Sequence, residues 1–148
     1  MTQVEIYTDG ACRGNPGPGG WAALLIAGSV RKQVSGAATA TTNNRMELTA
    51  AIEGLKALKE PCEVEVITDS EYLKNGISKW LPNWKRRDWM TIEKKPVVNQ
   101  DLWQELDELV QKHKTAWSWT KGHASHADNN RCDELATTAA REQRSNLR

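Results

Sequence analysis

Ile6-Tyr7-Thr8-Asp9-Gly10 and Val66-Ile67-Thr68-Asp69-Ser70 share one pattern: an apolar, β-branched run that closes on an aspartate and a small residue. Each reads as a strand ending at its acid, the first by the alternation of Val4, Ile6 and Thr8 with Glu5, Tyr7 and Asp9. If the two strands are parallel neighbours, both carboxylates stand at one sheet edge. In an open α/β sheet that edge, where the strand order reverses, is where ligands bind.

The rest of the chain follows from these two strands. Residues 15–20, Asn-Pro-Gly-Pro-Gly-Gly, read as a turn or tight loop. Residues 21–27 form an apolar strand and 30–39 a more polar one, so the first three strands suggest an antiparallel meander. Helical spacing of Met46, Ala50, Leu55 and Leu58 predicts a helix over 44–59, with Pro61 just past its end. After the strand at 63–68, a helix is expected over 70–80 and an irregular stretch over 81–99, where Pro82 and Pro96 interrupt. Leu102, Leu106, Leu109 and Val110 face inward from a helix over 101–112. A strand over 115–120, a polar loop over 121–129 and a helix over 130–142 complete the order βββαβαβα. Strand–helix–strand units imply parallel pairing through right-handed crossovers. The expected fold class is therefore α/β: a five-stranded mixed sheet, meander plus parallel strands, flanked by helices.

At 148 residues the chain reads as a single domain over 1–142, with a polar tail over 143–148. Net charge is +1, so only local clustering can indicate a polyanionic partner. Three cysteines, Cys12, Cys62 and Cys132, with no CxxC spacing, argue against a disulfide framework or a zinc site. The first residues do not read as a signal peptide and no apolar run reaches membrane-spanning length, so a soluble cytoplasmic protein is expected.

Glu47 shares a helical stripe with Ala51, Leu55 and Leu58 and so points toward the sheet. Taken singly, every acid has a structural alternative. Glu47 fits a capping box with Asn44 as N-cap. Asp9 suits a turn and Asp69 an N-cap. Asp133 suits the first turn of the last helix, where an acid complements the helix dipole. Together the four differ: converging carboxylates repel in a partly buried place unless a divalent cation neutralises them. All-oxygen ligation suits Mg²⁺ or Mn²⁺. Two such ions clamp an in-line displacement at phosphorus.

Residues 79–95 carry Lys79, Lys85, Arg86, Arg87, Lys94 and Lys95 against Asp88 and Glu93, a local charge of 6 − 2 = +4, with Trp80, Trp84 and Trp89 interleaved. Cations beside flat apolar surfaces suit a sugar-phosphate backbone. The same pattern also fits tryptophans packed in the core beneath a solvated charged face. His123 and His126 lie in the Gly-bearing loop over 121–129, where a histidine can move protons and where an idle surface histidine is also common.

YTDGACRGNPGPGG (7–20), TTNNRMELTAAI (41–52), ITDSEY (67–72), NWKRRDW (83–89), KKPVVN (94–99), WTKGH (119–123) and NNRCDELA (129–136) together resemble bacterial type 1 ribonuclease H, in that family's order and from Val4 to about Ala140. The resemblance implies a ribonuclease H-like fold and hydrolysis of the RNA strand of RNA–DNA hybrids, leaving 3′-hydroxyl and 5′-phosphate ends. It implies metal ligation by Asp9, Glu47, Asp69 and Asp133, with two ions expected once substrate is bound. His123, rather than His126, is implied in proton handling or product release. Minor-groove contacts fall on Cys12, Asn15, Asn43 and Asn44, and a DNA-phosphate pocket on Thr42 and Asn99. The basic protrusion, with Trp80, Trp84, Lys85, Arg86, Arg87 and Trp89, is implied to grip the DNA strand. Short polar side chains and backbone groups around Gly10, Cys12 and Asn15 suit a test for 2′-hydroxyls in a wide, shallow minor groove.

Several positions depart from the family pattern. Ala40 stands where an arginine often joins the phosphate pocket, and Glu71 where a glutamine often contacts substrate. Asp88, Met90 and Val98 make the protrusion less basic, and Asn130 replaces an acid near the last helix. These bear on affinity and metal preference. Two other functions fit parts of the pattern: an integrase- or resolvase-like DNA nuclease, and a non-catalytic hybrid-binding module. The residues of 41–48 and the minor-groove set argue against the first, and the presence of all four acids against the second. Nothing in the sequence demands more than a monomer.

Overall fold

The computed structural model describes residues 2–119. The loop over 121–129 and the helix expected over 130–142 lie outside the described residues, as do His123, Asp133 and Asn130. Within them run strands β1 (Gln3–Cys12), β2 (Gly17–Ala27) and β3 (Val30–Thr41), helix α1 (Asn43–Lys56) and strand β4 (Glu63–Thr68). Helix α2 (Glu71–Asn75), a π-helical turn (Gly76–Trp80), helix α3 (Leu81–Arg86), helix α4 (Gln100–Lys112) and strand β5 (Lys114–Trp119) follow.

The five strands form one sheet in the order β3-β2-β1-β4-β5. β1 pairs antiparallel with β2 and parallel with β4, and β5 continues the parallel side. Tyr7 is level with Ile67, so the strands that carry the two acids run side by side and in step. β1 continues past Asp9 to Cys12, beyond the strand end expected at Asp9, because residues 9–12 stay paired with β2; β4 stops at Thr68, one residue before Asp69. The mixed sheet expected from the sequence is therefore present.

Alternation sorts the strand side chains. Val4, Ile6, Ala23, Leu25, Val64 and Val66 join α1 and α4 in the main core, while Tyr7, Ala22, Leu24 and Ile67 form a second buried cluster. α1 contributes Leu48, Ala51, Ile52 and Leu55, at spacings of three, one and three. That is the apolar stripe of a helix lying on a sheet. From α4, Trp103 and Leu106 are fully buried, and Leu102, Leu109 and Val110 pack against them.

Three local expectations are corrected. The loop at 15–20 is shorter, because β2 already begins at Gly17; the register shifts between Gly17 and Gly19. Such a bulge tolerates Pro18, which has no amide to donate. The helix over 70–80 divides into α2 and the π turn, where Gly76 lies against Trp103; a Cβ there would fall inside the indole ring. The stretch over 81–99 opens with a helix, α3, because Pro82 occupies its first turn. Proline is accommodated at the start of α3, directly after the π turn, where the helical bonding changes.

Candidate metal centre

β1 carries Asp9 to the sheet edge beside β2, and the turn after β4 carries Asp69 to the same edge. α1 must then approach closely enough to add Glu47. Gly10 permits this: a Cβ on it would collide with the Met46–Glu47 peptide. The Gly10 amide donates to both Asp9 Oδ1 (3.0 Å) and Glu47 Oε1 (2.9 Å). One backbone donor thus ties two carboxylates from different elements.

Asp9 and Glu47 are buried, Asp69 is half-buried, and one carboxylate oxygen from each lies within 4.8 Å of the others. Glu47 Oε2 is buried without a hydrogen bond among the described residues. Burial, joined by the Asp69 charge, pushes the Glu47 carboxyl up to about 7, although the Gly10 amide and the nearby Asp9 and Ser70 side chains oppose the rise. A buried oxygen lacking a donor, amid further acid oxygens, is a site that a hard cation completes.

The capping alternatives for Glu47 and Asp69 both fail. The α1 cap is Thr42, whose Oγ1 accepts from the Arg45 amide at 3.2 Å, so Asn44 is not the N-cap and Glu47 does not close a capping box. The α2 cap is Ser70, whose Oγ accepts from the Leu73 amide, so Asp69 does not serve as the cap.

A cleft of about 340 Å³ opens over the acids, lined by Asp9, Gly10, Asn43, Asn44, Glu47 and Asp69, with Glu71 and Tyr72 on its far side. A larger groove of about 600 Å³ lies at the opposite end of β1, β4 and β5. The smaller cleft is the candidate, because the three acids converge there.

Around it, Asn15 Oδ1 accepts from the Asn43 amide at 3.1 Å, joining the β1–β2 turn to the start of α1. Cys12 Sγ lies 3.4 Å from the Gly17 and Thr41 carbonyls. Burial raises its thiol pKa, with the Gly17 contact opposing, so Cys12 stays a neutral thiol. Thr42 and Asn99 are linked through Arg45, whose Nη1 donates to Asn99 Oδ1 at 3.1 Å and whose Nη2 pairs with Asp101 at 2.9 Å. Asn99 in turn donates to the Tyr72 hydroxyl, which also accepts from Trp103 Nε1 at 2.9 Å. Sequence reasoning did not single out Arg45, Tyr72 or Trp103; position 45 lies inside the TTNNRMELTAAI motif, but its partners come from a different element.

In the protrusion, Trp80, Trp84 and Trp89 are half-buried and pack against one another in sequence, with tilted rings. Ring centroids are 5.8 Å apart for Trp80–Trp84 and 6.5 Å for Trp84–Trp89, and Trp84 meets Trp103 at 5.5 Å. Trp84 and Trp89 pack against the main core. Lys85, Arg86, Arg87, Lys94 and Lys95 are exposed; Lys85 also pairs with Asp107 at 3.2 Å. Both descriptions of this segment hold in part: its indoles pack inward and its cations face solvent. Among the described residues, no helix is long and apolar enough to cross a membrane.

A mixed α/β sheet whose edge gathers three carboxylates beneath a cleft offers the anionic, all-oxygen donor set that suits a divalent cation. A model of the RNase H family matches residues 1–141. The ribonuclease H of Solibacter usitatus is 66% identical over 143 residues, covering 97% of this chain and 98% of that protein. That of Hydrogenovibrio crunogenus is 63% identical over 139 residues, covering 94% and 96%. The crystal structure of LC9-RNase H1, a type 1 RNase H with the type 2 active-site motif, superposes with a TM-score of 0.87 at 36% identity, covering 97% of this chain and 74% of that one. The chain belongs to the ribonuclease H family.

Proposed function

We infer that this ribonuclease H hydrolyses the RNA strand of RNA–DNA hybrids by in-line attack of water on the phosphodiester, leaving 3′-hydroxyl and 5′-phosphate ends. The observation that carries the mechanism is the convergence of Asp9, Glu47 and Asp69 to within 4.8 Å at the sheet edge. The donor set fits Mg²⁺ or Mn²⁺, being all oxygen and anionic, with one buried oxygen that lacks a hydrogen bond among the described residues. Divalent cations held there supply a more acidic bound water and charge neutralisation at the leaving oxygen.

Asp9 and Glu47 are held rigidly by the Gly10 amide, so they present fixed oxygens with little reorganisation. Asp69 completes the described set, and Asp133 is the fourth ligand by the family resemblance. Two ions are bound when the hybrid is present. His123 handles a proton or aids product release.

The hybrid lies with its minor groove over Gly10, Cys12, Asn15, Asn43, Asn44 and Glu71. A DNA phosphate sits near Thr42 and Asn99, where Arg45 supplies a guanidinium bonded to Asn99. Trp80, Trp84 and Trp89 form the platform from which Lys85, Arg86 and Arg87 reach the DNA strand. The free thiols of Cys12 and Cys62 support a reducing, cytoplasmic setting, and we propose a monomer.

The test is cleavage of a labelled hybrid with and without Mg²⁺ or Mn²⁺, beside duplex DNA and duplex RNA of the same sequence. Metal-dependent cutting of only the RNA strand of the hybrid is expected. Cleavage of duplex DNA would favour the integrase-like alternative, and tight binding without cleavage a binding module.

A further inference from the structure

Of the three described acids, Asp69 is the one that lies in neither a strand nor a helix. Asp9 lies within β1, paired to β2, and Glu47 lies within α1. β4 ends at Thr68, so Asp69 falls in the joint between β4 and α2. The peptide that follows it, joining Asp69 to Ser70, is held at both ends by side chains. The Ser70 amide donates to Thr68 Oγ1 at 3.1 Å, and the Asp69 carbonyl accepts from Trp119 Nε1 at 3.1 Å.

Trp119 reaches this carbonyl because β5 runs parallel to β4 with Trp119 level with Thr68. Its ring is fixed in turn by Lys74 of α2, whose ammonium lies 4.2 Å from the ring centroid. Thr68, the last residue of β4, fixes the peptide before Asp69, and the two side-chain bonds fix the one after it. With both peptides set, the Cα–Cβ direction of Asp69 is set as well.

We propose that Trp119 is a positioning residue for the metal centre: its indole N–H, acting with the Thr68 hydroxyl on one peptide, aims the Asp69 carboxylate. The proposal rests on Asp69 being a metal ligand, as inferred for the hydrolytic site. Groups that orient a ligand in this way typically change metal affinity or activity by ~10–100-fold when removed.

The experiment compares Trp119→Phe, which keeps a ring under Lys74 but loses the N–H, with Thr68→Val, which acts at the other end of the same peptide. Mn²⁺ binding to the metal-stripped full chain is measured by calorimetry, with hybrid-cleavage kinetics across Mn²⁺ concentration and thermal unfolding. Each variant is expected to bind Mn²⁺ about tenfold more weakly. Cleavage should recover as Mn²⁺ is raised, with KM for the hybrid within about twofold, since the substrate-facing side chains are untouched. Mn²⁺ affinity unchanged in both variants overturns the proposal, whatever happens to Tm, because a merely structural bond would lower Tm alone. Lost cleavage that added Mn²⁺ does not restore overturns it too. Should Trp119→Phe fail to fold, Thr68→Val decides. Asp69→Asn separates the two levels: wild-type Mn²⁺ binding in that variant removes the metal-site assignment itself. Weakened binding there beside normal binding in Trp119→Phe and Thr68→Val removes only the role of Trp119.

Discussion

Glu47 pays for its position in the metal-free protein. Its carboxyl is pushed up from 4.5 to about 7, so the folded state holds a proton that the unfolded state has released. A raised carboxylate pKa gives stability that is full below about 4.5 and lost as pH rises through 7. The shift corresponds to about 3 kcal/mol once both states are ionised. Glu47→Gln should lose metal-dependent activity, and in metal-stripped form it should unfold at a higher temperature than the parent at pH 8, with the two converging near pH 4.5. Thermal melts across that range check this; equal melting temperatures at pH 8 would show that Glu47 carries no such burden. Gly10 is the complementary case. Gly10→Ala drives a methyl group into the Met46–Glu47 peptide, so α1 must retreat from the sheet edge. Overpacking of this kind costs roughly 1–3 kcal/mol. Urea titration should show that loss, together with a larger loss of turnover than of stability, since the displacement falls on two carboxylates at once.

At the scale of elements, α4 is held by Trp103 beneath the π turn and by His113 at its end. His113 Nδ1 accepts from the Cys62 amide at 3.0 Å, tying the end of α4 to the approach of β4. Burial first, then the Lys112 charge, lowers the His113 pKa below its usual 6.5. The folded state thus favours neutral imidazole; stability from this group is full above 6.5 and declines as pH falls below it. This trend opposes that of Glu47, so it is best read in the Glu47→Gln background. There, melting temperature should fall as pH drops below about 6.5, and His113→Asn, which keeps an acceptor, should flatten the fall. In the protrusion, the indoles belong to the packing and the cations to the surface. Arg86→Ala with Arg87→Ala should leave Tm nearly unchanged and weaken hybrid binding. The salt slope of log K should shrink by about 0.7–0.9 for each phosphate that the arginines no longer neutralise. An unaltered slope would assign both arginines to a solvated face only.

Across the whole molecule, the centre joins β1, α1 and the end of β4, so cation binding should tie them together and stabilise the fold. At a metal concentration a hundred times Kd the gain is ~2.7 kcal/mol. Asp9→Asn should lose both this gain and turnover while folding normally, since it removes a charge and little volume. A metal-induced rise in Tm that survives Asp9→Asn would place the cation elsewhere. The large-scale plan was legible in the sequence. The two acid-bearing strands, the helical stripe through Glu47 and the crossover pattern all lie in local periodicity, which backbone geometry translates directly into elements. Less legible were features where two elements negotiate. Thr42 caps α1 in place of Asn44, because the chain enters the helix directly from β3. Pro82 starts a helix where an interruption is expected from sequence. The Arg45–Asn99–Tyr72–Trp103 chain draws on three helices and their approaches, so no single stretch announces it.

The amino-acid order alone determined the main strands and helices of the sheet plan, the parallel pairing of the two acid-bearing strands and the family, because strand and helix periods and contiguous motifs are properties of short segments. Only the tertiary structure decided which acids share a site, that one amide at Gly10 serves two of them, and that Trp119 holds the peptide beside the third. Those facts depend on distances between residues far apart in the chain, and packing alone sets such distances.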